Sequence, residues 1–169
     1  MRLGTLINKV EEYDPKADFA LIRKAYCFAE KAHEGQKRAS GEPFIQHPLH
    51  TAFLVAHLKL DTVSIVSALL HDTVEDTEVT LEEVQREFGP EVANIVDGAT
   101  NIKRLKVSDM ESYHAESIRK VIMASARDIR VIFVKLADKL HNMRTLDFFR
   151  PEKQQRISKE VLDVYAPIA

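Results

Sequence analysis

Asp128-Ile129-Arg130-Val131-Ile132-Phe133-Val134-Lys135-Leu136-Ala137-Asp138-Lys139-Leu140-His141-Asn142 is the stretch on which the fold class turns. Its Val131-Ile132-Phe133-Val134 run is β-branched and aromatic and could be a buried strand. The wider window decides for a helix, because Ile129, Ile132, Phe133, Leu136 and Leu140 recur at helical spacing. No alternating run or hairpin turn elsewhere offers a strand partner. The spacing predicts a helix from Asp128 to about Leu146.

Working outward, the remaining segments read as helices too. Asp18 can cap a helix carrying Phe19, Ile22, Tyr26 and Ala29, which Gly35 ends. Glu34 to Gln46 holds Gly35, Gly41 and Pro43 and reads as a loop. His47-Pro48 opens a helix with Leu49, Phe53, Ala56 and Leu58 on its apolar side. Asp61-Thr62 starts another, whose Ile65, Val66, Ala68, Leu69 and Leu70 make it central. Thr80 with Glu83, and Ser108 with Glu111, match the capping-box pattern. Gly89-Pro90 separates helices over Leu81 to Phe88 and Glu91 to Ala99. Asn101 to Val107 is basic and irregular, and Pro151 introduces a final helix from Glu152 to about Tyr165. The expectation is a single all-α domain over residues 1–169, a bundle of about eight helices.

Composition narrows the function. Hydrophobic residues are 45% and charged residues 30% of the 169, which is globular. Cys27 is alone, so no intrachain disulfide and no Cys-rich zinc site can form. A formal charge of −2 argues against a duplex-DNA binder working by bulk positive charge. No apolar run approaches the roughly 20 residues of a membrane span, and no signal-like stretch opens the chain. A soluble cytoplasmic protein is expected.

Carboxylates and histidines gather where a core should be. The apolar run to Leu70 leads straight into His71-Asp72-Thr73-Val74-Glu75-Asp76. On a helix, 71 and 75 share one face, 72 and 76 share another, and the two rows adjoin. Carboxylates so placed resist desolvation unless a cation keeps them ionised. The plainer alternative is a solvated acidic helix end. His47, at a helix start after a loop, is a third candidate ligand. Asp138 interrupts an apolar helix, with Asn142 one turn on and His141 and Thr145 on or beside the same face. It must bind a cation or pair with a neighbouring Lys or Arg. Two imidazoles and two carboxylates suit Mn²⁺, Zn²⁺ or Fe²⁺ better than Mg²⁺.

His47, His71-Asp72 and Asp138 resemble the H…HD…D pattern of the HD metal-dependent phosphohydrolases. Ala32 to Arg38, Ser40 to Phe44, His71 to Thr77, Phe88-Gly89, Val96 to Thr100, Asp128 to Val131 and Leu136 to Leu146 resemble the hydrolase domain of the RelA/SpoT family. That resemblance implies an HD-domain bundle that hydrolyses the guanosine alarmones ppGpp and pppGpp. Pyrophosphate leaves from the 3′ position, GDP or GTP remains, and Mn²⁺ is the cofactor. Carried over by position, His47, His71, Asp72 and Asp138 would be metal ligands. Glu75 and Asp76 would be the catalytic acids that position the attacking water or move its proton. Arg38 would lie against the guanine, and Ser40, Asn142 and Thr145 would line the nucleoside pocket. Lys37-Arg38 and Lys103-Arg104-Lys106 are candidates for admitting the polyanion.

Lys139, Gln46 and the segment Tyr113 to Ser117 depart from the family pattern, the last where Asn is usual at Ser117. The retained His-Asp motif with Glu75 and Asp76 implies an active hydrolase. The resemblance further implies the hydrolase portion of a long bifunctional enzyme, with a synthetase domain following. The alternatives are an HD phosphohydrolase acting on another nucleotide and a non-catalytic alarmone-binding module.

Overall fold

The computed structural model describes residues 1–100 and 116–169 in full, and 110–115 as helix backbone. Asn101 to Val107, with the Lys103-Arg104-Lys106 cluster, and the Ser108–Glu111 capping box lie outside the described residues, as do the side chains of Tyr113 to Ala115. Among the described residues every regular element is helical. They are α1 (Leu3–Glu11), α2 (Phe19–Ala32), α3 (Gln46–His57), α4 (Thr62–Leu70), α5 (Thr73–Asp76), α6 (Leu81–Phe88), α7 (Pro90–Ala99), α8 (Met110–Arg127), α9 (Arg130–Arg144) and α10 (Pro151–Glu160). A short 3-10 turn covers Leu146–Phe148. None of these helices is long and apolar enough to cross a membrane.

The helix starts follow their capping chemistry. Asp18 accepts from the Leu21 amide at 2.8 Å, and Asp61 from the Ser64 amide at 2.9 Å. The Thr80–Glu83 capping box closes in both directions. Pro90 takes the first turn of α7, where its missing N–H costs nothing. The final helix differs from the reading, because α10 loosens into a π turn over Val161–Tyr165. The Ala166 amide there reaches back to the Val161 carbonyl at 2.8 Å.

α4 is the centre of the bundle. Every side chain from Ser64 to Leu70 is buried, and α2, α3, α7 and α9 pack around it. Two elements were absent from the sequence reading. α1 buries Leu6, Ile7 and Val10 against α3 and α2 without a side-chain cap to announce it. α5 is a single turn set off from α4 by His71 and Asp72.

α9 turns a mixed face into the bundle. Its buried residues are Val131, Ile132, Val134, Lys135, Ala137, Asp138 and His141. Ile129 and Leu140, whose spacing helped to identify the helix, are 60% and 44% exposed. The helix turns its polar residues inward because α3 and α4 carry the matching polar groups. Its start is held by Arg130, which pairs with Asp61 at 2.8 Å, Glu91 at 2.6 Å and Asp128 at 2.6 Å.

Candidate metal centre and nucleotide cavity

Four side chains from three helix ends and one helix middle meet in the bundle. His47 stands in the first turn of α3, His71 caps the end of α4, and Asp72 follows it. Asp138 points inward from the middle of α9. Ligand atoms of His47, His71 and Asp138 lie within 4.8 Å of one another. His47 Nε2 is 3.3 Å from Asp72 Oδ2 and 3.2 Å from Asp138 Oδ1. His71 Nε2 is 3.0 Å from Asp72 Oδ1 and 3.9 Å from Asp138 Oδ1.

The tautomer of His71 tests whether a metal suits this cluster. Its Nδ1 faces the Ala68 carbonyl at 2.9 Å, and a carbonyl can only accept. The neutral ring therefore keeps its proton on Nδ1 and turns a lone pair at Nε2 toward two carboxylates. That Nε2 is fully buried and makes no well-aligned hydrogen bond. A lone pair facing anions needs a positive charge between them, either a proton or a metal ion. Burial pulls the imidazole pKa down, but Asp72 and Asp138 outweigh it and raise it to about 9. Burial likewise opposes ionisation of Asp72 and Asp138, yet the surrounding cations hold both carboxyls well below the usual range. Two ionised carboxylates with imidazole nitrogens between them are a donor set that fits a divalent cation.

Asp138 makes the ordinary ion pair with one carboxylate oxygen and turns the other toward the histidines. Its Oδ2 lies 3.5 Å from the Lys135 ammonium, while Oδ1 is left toward the histidines. Lys135 in turn donates to the Ala99 carbonyl at 2.9 Å.

A cavity of about 520 Å³ opens beside the cluster, within the size range of small-molecule sites. Asp72, Glu75 and Asp76 all line it, so the three carboxylates of that stretch converge on one space. Burial, then Asp72 and Glu75, push the Asp76 carboxyl up to about 6. Arg38 reaches the cavity from a loop closed by Arg38 N to Glu42 O at 2.9 Å and Phe44 N to Gln36 O at 3.0 Å. Its guanidinium lies 5.8 Å from the centre of the Phe44 ring. It donates to Asn142 Oδ1 at 2.9 Å and Thr145 Oγ1 at 3.4 Å. Asn142 passes this on, donating to Asp138 Oδ1 at 2.6 Å. Arg38, Asn142 and Thr145 are thus brought together, in contact with a candidate ligand. Ser40 is not brought to them, since its Oγ bonds Glu42 in its own loop at 3.3 Å.

Several residues at the site escaped the sequence reading. Lys135, Lys139, Lys153 and Arg156 line the cavity with Lys37 and Arg38. Lys153 and Arg156 are exposed, and nothing in their spacing distinguished them from a solvated face. Ser117, noted as a departure, lines the cavity with a buried Oγ that has no hydrogen-bond partner among the described residues. His33 is buried, stacks on Phe44 at 4.4 Å and bonds Gln36, whose amide holds the Asp76 carbonyl at 2.9 Å.

The HD domain family matches residues 25–169 of the chain. A GTP pyrophosphokinase of Myxococcus xanthus is 53% identical over 163 residues, covering 95% of this chain and 22% of its own. The bifunctional (p)ppGpp synthase/hydrolase SpoT of Escherichia coli is 46% identical over 165 residues, covering 98% and 24%. The chain thus spans less than a quarter of the length of these relatives. A solved structure described as a metazoan ortholog of SpoT that hydrolyzes ppGpp superposes with a TM-score of 0.69 at 28% identity. That match covers 85% of this chain and 84% of the other. With its H…HD…D residues gathered in one cluster, the chain belongs to the HD domain family, in the branch of the RelA/SpoT enzymes.

Proposed function

We propose that this chain hydrolyses ppGpp and pppGpp, releasing the 3′ pyrophosphate and leaving GDP or GTP, with Mn²⁺ held by His47, His71, Asp72 and Asp138. The observation that carries this reading is one cavity lined together by His47, Asp72 and Asp138 of the cluster, the Asp76 carboxyl, Arg38 and Asn142, with Thr145 bonded to Arg38. The relatives support it, because their names carry ppGpp hydrolysis. A divalent cation in the cluster would lower the pKa of a bound water and offset charge on the phosphoryl oxygens.

The chain's own residues supply the rest. Asp76, with a carboxyl pKa near 6, is poised to take a proton from the attacking water near neutral pH. Glu75 beside it lines the same cavity and orients that water. Arg38 presents a planar guanidinium backed by Phe44, a surface on which a purine stacks. The Arg38–Asn142–Asp138 chain fixes the spacing between base and reacting phosphate. Lys37, Lys139, Lys153 and Arg156 offset the charge of the substrate's phosphates.

A panel of nucleotides tests the substrate. ppGpp and pppGpp should each yield pyrophosphate with Mn²⁺, while ATP, dGTP and GTP should not. Cleavage of the panel without preference for a 3′ pyrophosphate favours a general HD phosphohydrolase. Tight ppGpp binding without turnover favours the non-catalytic module.

A further inference from the structure

The metal reading leaves the buried imidazole of His141 without a role. His141 lies three residues after Asp138 on α9 and is 8% exposed. Its Nδ1 is 2.7 Å from Nδ1 of His47, which is 1% exposed. Two imidazole nitrogens at that distance share one proton, so one ring donates and the other accepts.

The direction of that bond decides what the far side of His47 presents. A neutral imidazole carries one N–H. If His141 donates, the His47 proton sits on Nε2, facing Asp72 at 3.3 Å and Asp138 at 3.2 Å, where a cation would bind. If His141 accepts, the His47 proton sits on Nδ1 and the Nε2 lone pair is free. We infer that His141 is a positioning residue: it accepts the His47 Nδ1–H and so presents Nε2 of His47 to the metal. This rests on the reading of the cluster as a metal site.

The surroundings suit that task. His141 is stacked on His50 at 4.8 Å with 18° between the ring planes, which fixes the direction of its Nδ1. Metal-bound histidines usually donate to a carboxylate or a carbonyl. An imidazole acceptor orients the ring without adding a third anion beside Asp72 and Asp138. With a metal bound, both rings would be neutral, His47 protonated at Nδ1 and His141 at Nε2.

The test is the Mn²⁺ affinity of metal-free wild type, His141→Asn and His141→Phe, by competition with a chelating indicator. Asn places Oδ1 where Nδ1 was and can still accept. Phe keeps the stacking ring on His50 but cannot accept. The expected result is an affinity weakened about 10- to 100-fold for Phe and kept close to wild type for Asn. Wild-type affinity in the Phe variant, or an equal loss in both, overturns the inference. Failure of wild type to bind Mn²⁺ overturns the metal reading, and the inference with it. Long-range ¹H–¹⁵N spectra of the Zn²⁺-loaded wild type give a readout independent of any variant's folding. Nδ1 should be protonated in His47 and bare in His141, and the reverse pattern overturns the proposal.

Discussion

Lys135→Met removes an ammonium buried against Asp138 while keeping most of its aliphatic stem. The side chains of Lys135 and Asp138 are only 3% and 7% exposed, and Nζ lies 3.5 Å from Asp138 Oδ2. Two unit charges at that separation attract by about 5 kcal/mol at an effective dielectric of about 20. Breaking a buried pair by removing one partner costs about 3–5 kcal/mol, which agrees. The Ala99 carbonyl also loses its donor, a cost of about 1–3 kcal/mol for a buried group. Both losses come from one ammonium, so they overlap, and the expected total without metal is about 3–5 kcal/mol. A divalent cation changes the outcome, because it compensates Asp138 from its Oδ1 side. With Mn²⁺ bound the loss should shrink toward the Ala99 contribution, about 1–3 kcal/mol. Urea unfolding of wild type and variant, in chelator and in saturating Mn²⁺, measures both numbers. A loss below about 1 kcal/mol in chelator, or the same loss with and without Mn²⁺, refutes the reasoning.

Gly98→Ala should destabilise the fold by about 1–3 kcal/mol through overpacking, although Ala is the better helix former. Its Cβ would meet Ala124 Cβ at 2.8 Å and Val131 Cγ2 at 2.9 Å, and a raised melting temperature would contradict this. Arg130→Gln should flatten the acid side of the stability curve. Arg130 hydrogen-bonds hold the Asp128 carboxyl below its ordinary value. Its contribution is therefore complete above the unfolded pKa of about 3.9, and is lost as pH falls through the lower folded value. An unchanged slope between neutral pH and acid would remove Arg130 from that role. Asp76→Asn should keep Mn²⁺ and lower kcat about 10²- to 10⁴-fold; a near-normal kcat would reassign the proton transfer. Arg38→Ala should raise KM for ppGpp with little change in kcat, and an unchanged KM would end the base-stacking assignment.

The proposed ligand positions His71, Asp72 and Asp138 drew notice because each stands where an apolar pattern is broken. His71 and Asp72 end the most buried helix, and Asp138 follows Leu136-Ala137 in a helix that opens on the apolar run Val131 to Val134. The helix starts at Asp18, Asp61, Thr80 and Pro90 were legible because capping is local chemistry. On α9 the sequence placed Asp138 on the inner side, but the exposure of Ile129 and Leu140 was not legible, because both keep the apolar helical spacing. The decision belongs to α3 and α4, whose histidines and Asp72 meet Lys135, Asp138 and His141 from outside the helix. Lys135 illustrates the same limit, since a lysine in a sequence reads as solvated until its neighbours are known. α1 carried the right spacing at Leu3, Leu6, Ile7 and Val10 but lacked a cap or turn residue to mark it. The Lys153 and Arg156 charges gain meaning only from α10 folding back over the cavity.

The account stands or falls on phosphate chemistry at the His/Asp cluster. The most direct test is release of pyrophosphate from ppGpp by this purified chain, with Mn²⁺ and again with excess chelator. The account predicts pyrophosphate and GDP in equal amounts with Mn²⁺, and neither product when the metal is removed. Release that persists in chelator, or no release from protein demonstrably loaded with Mn²⁺, would contradict it.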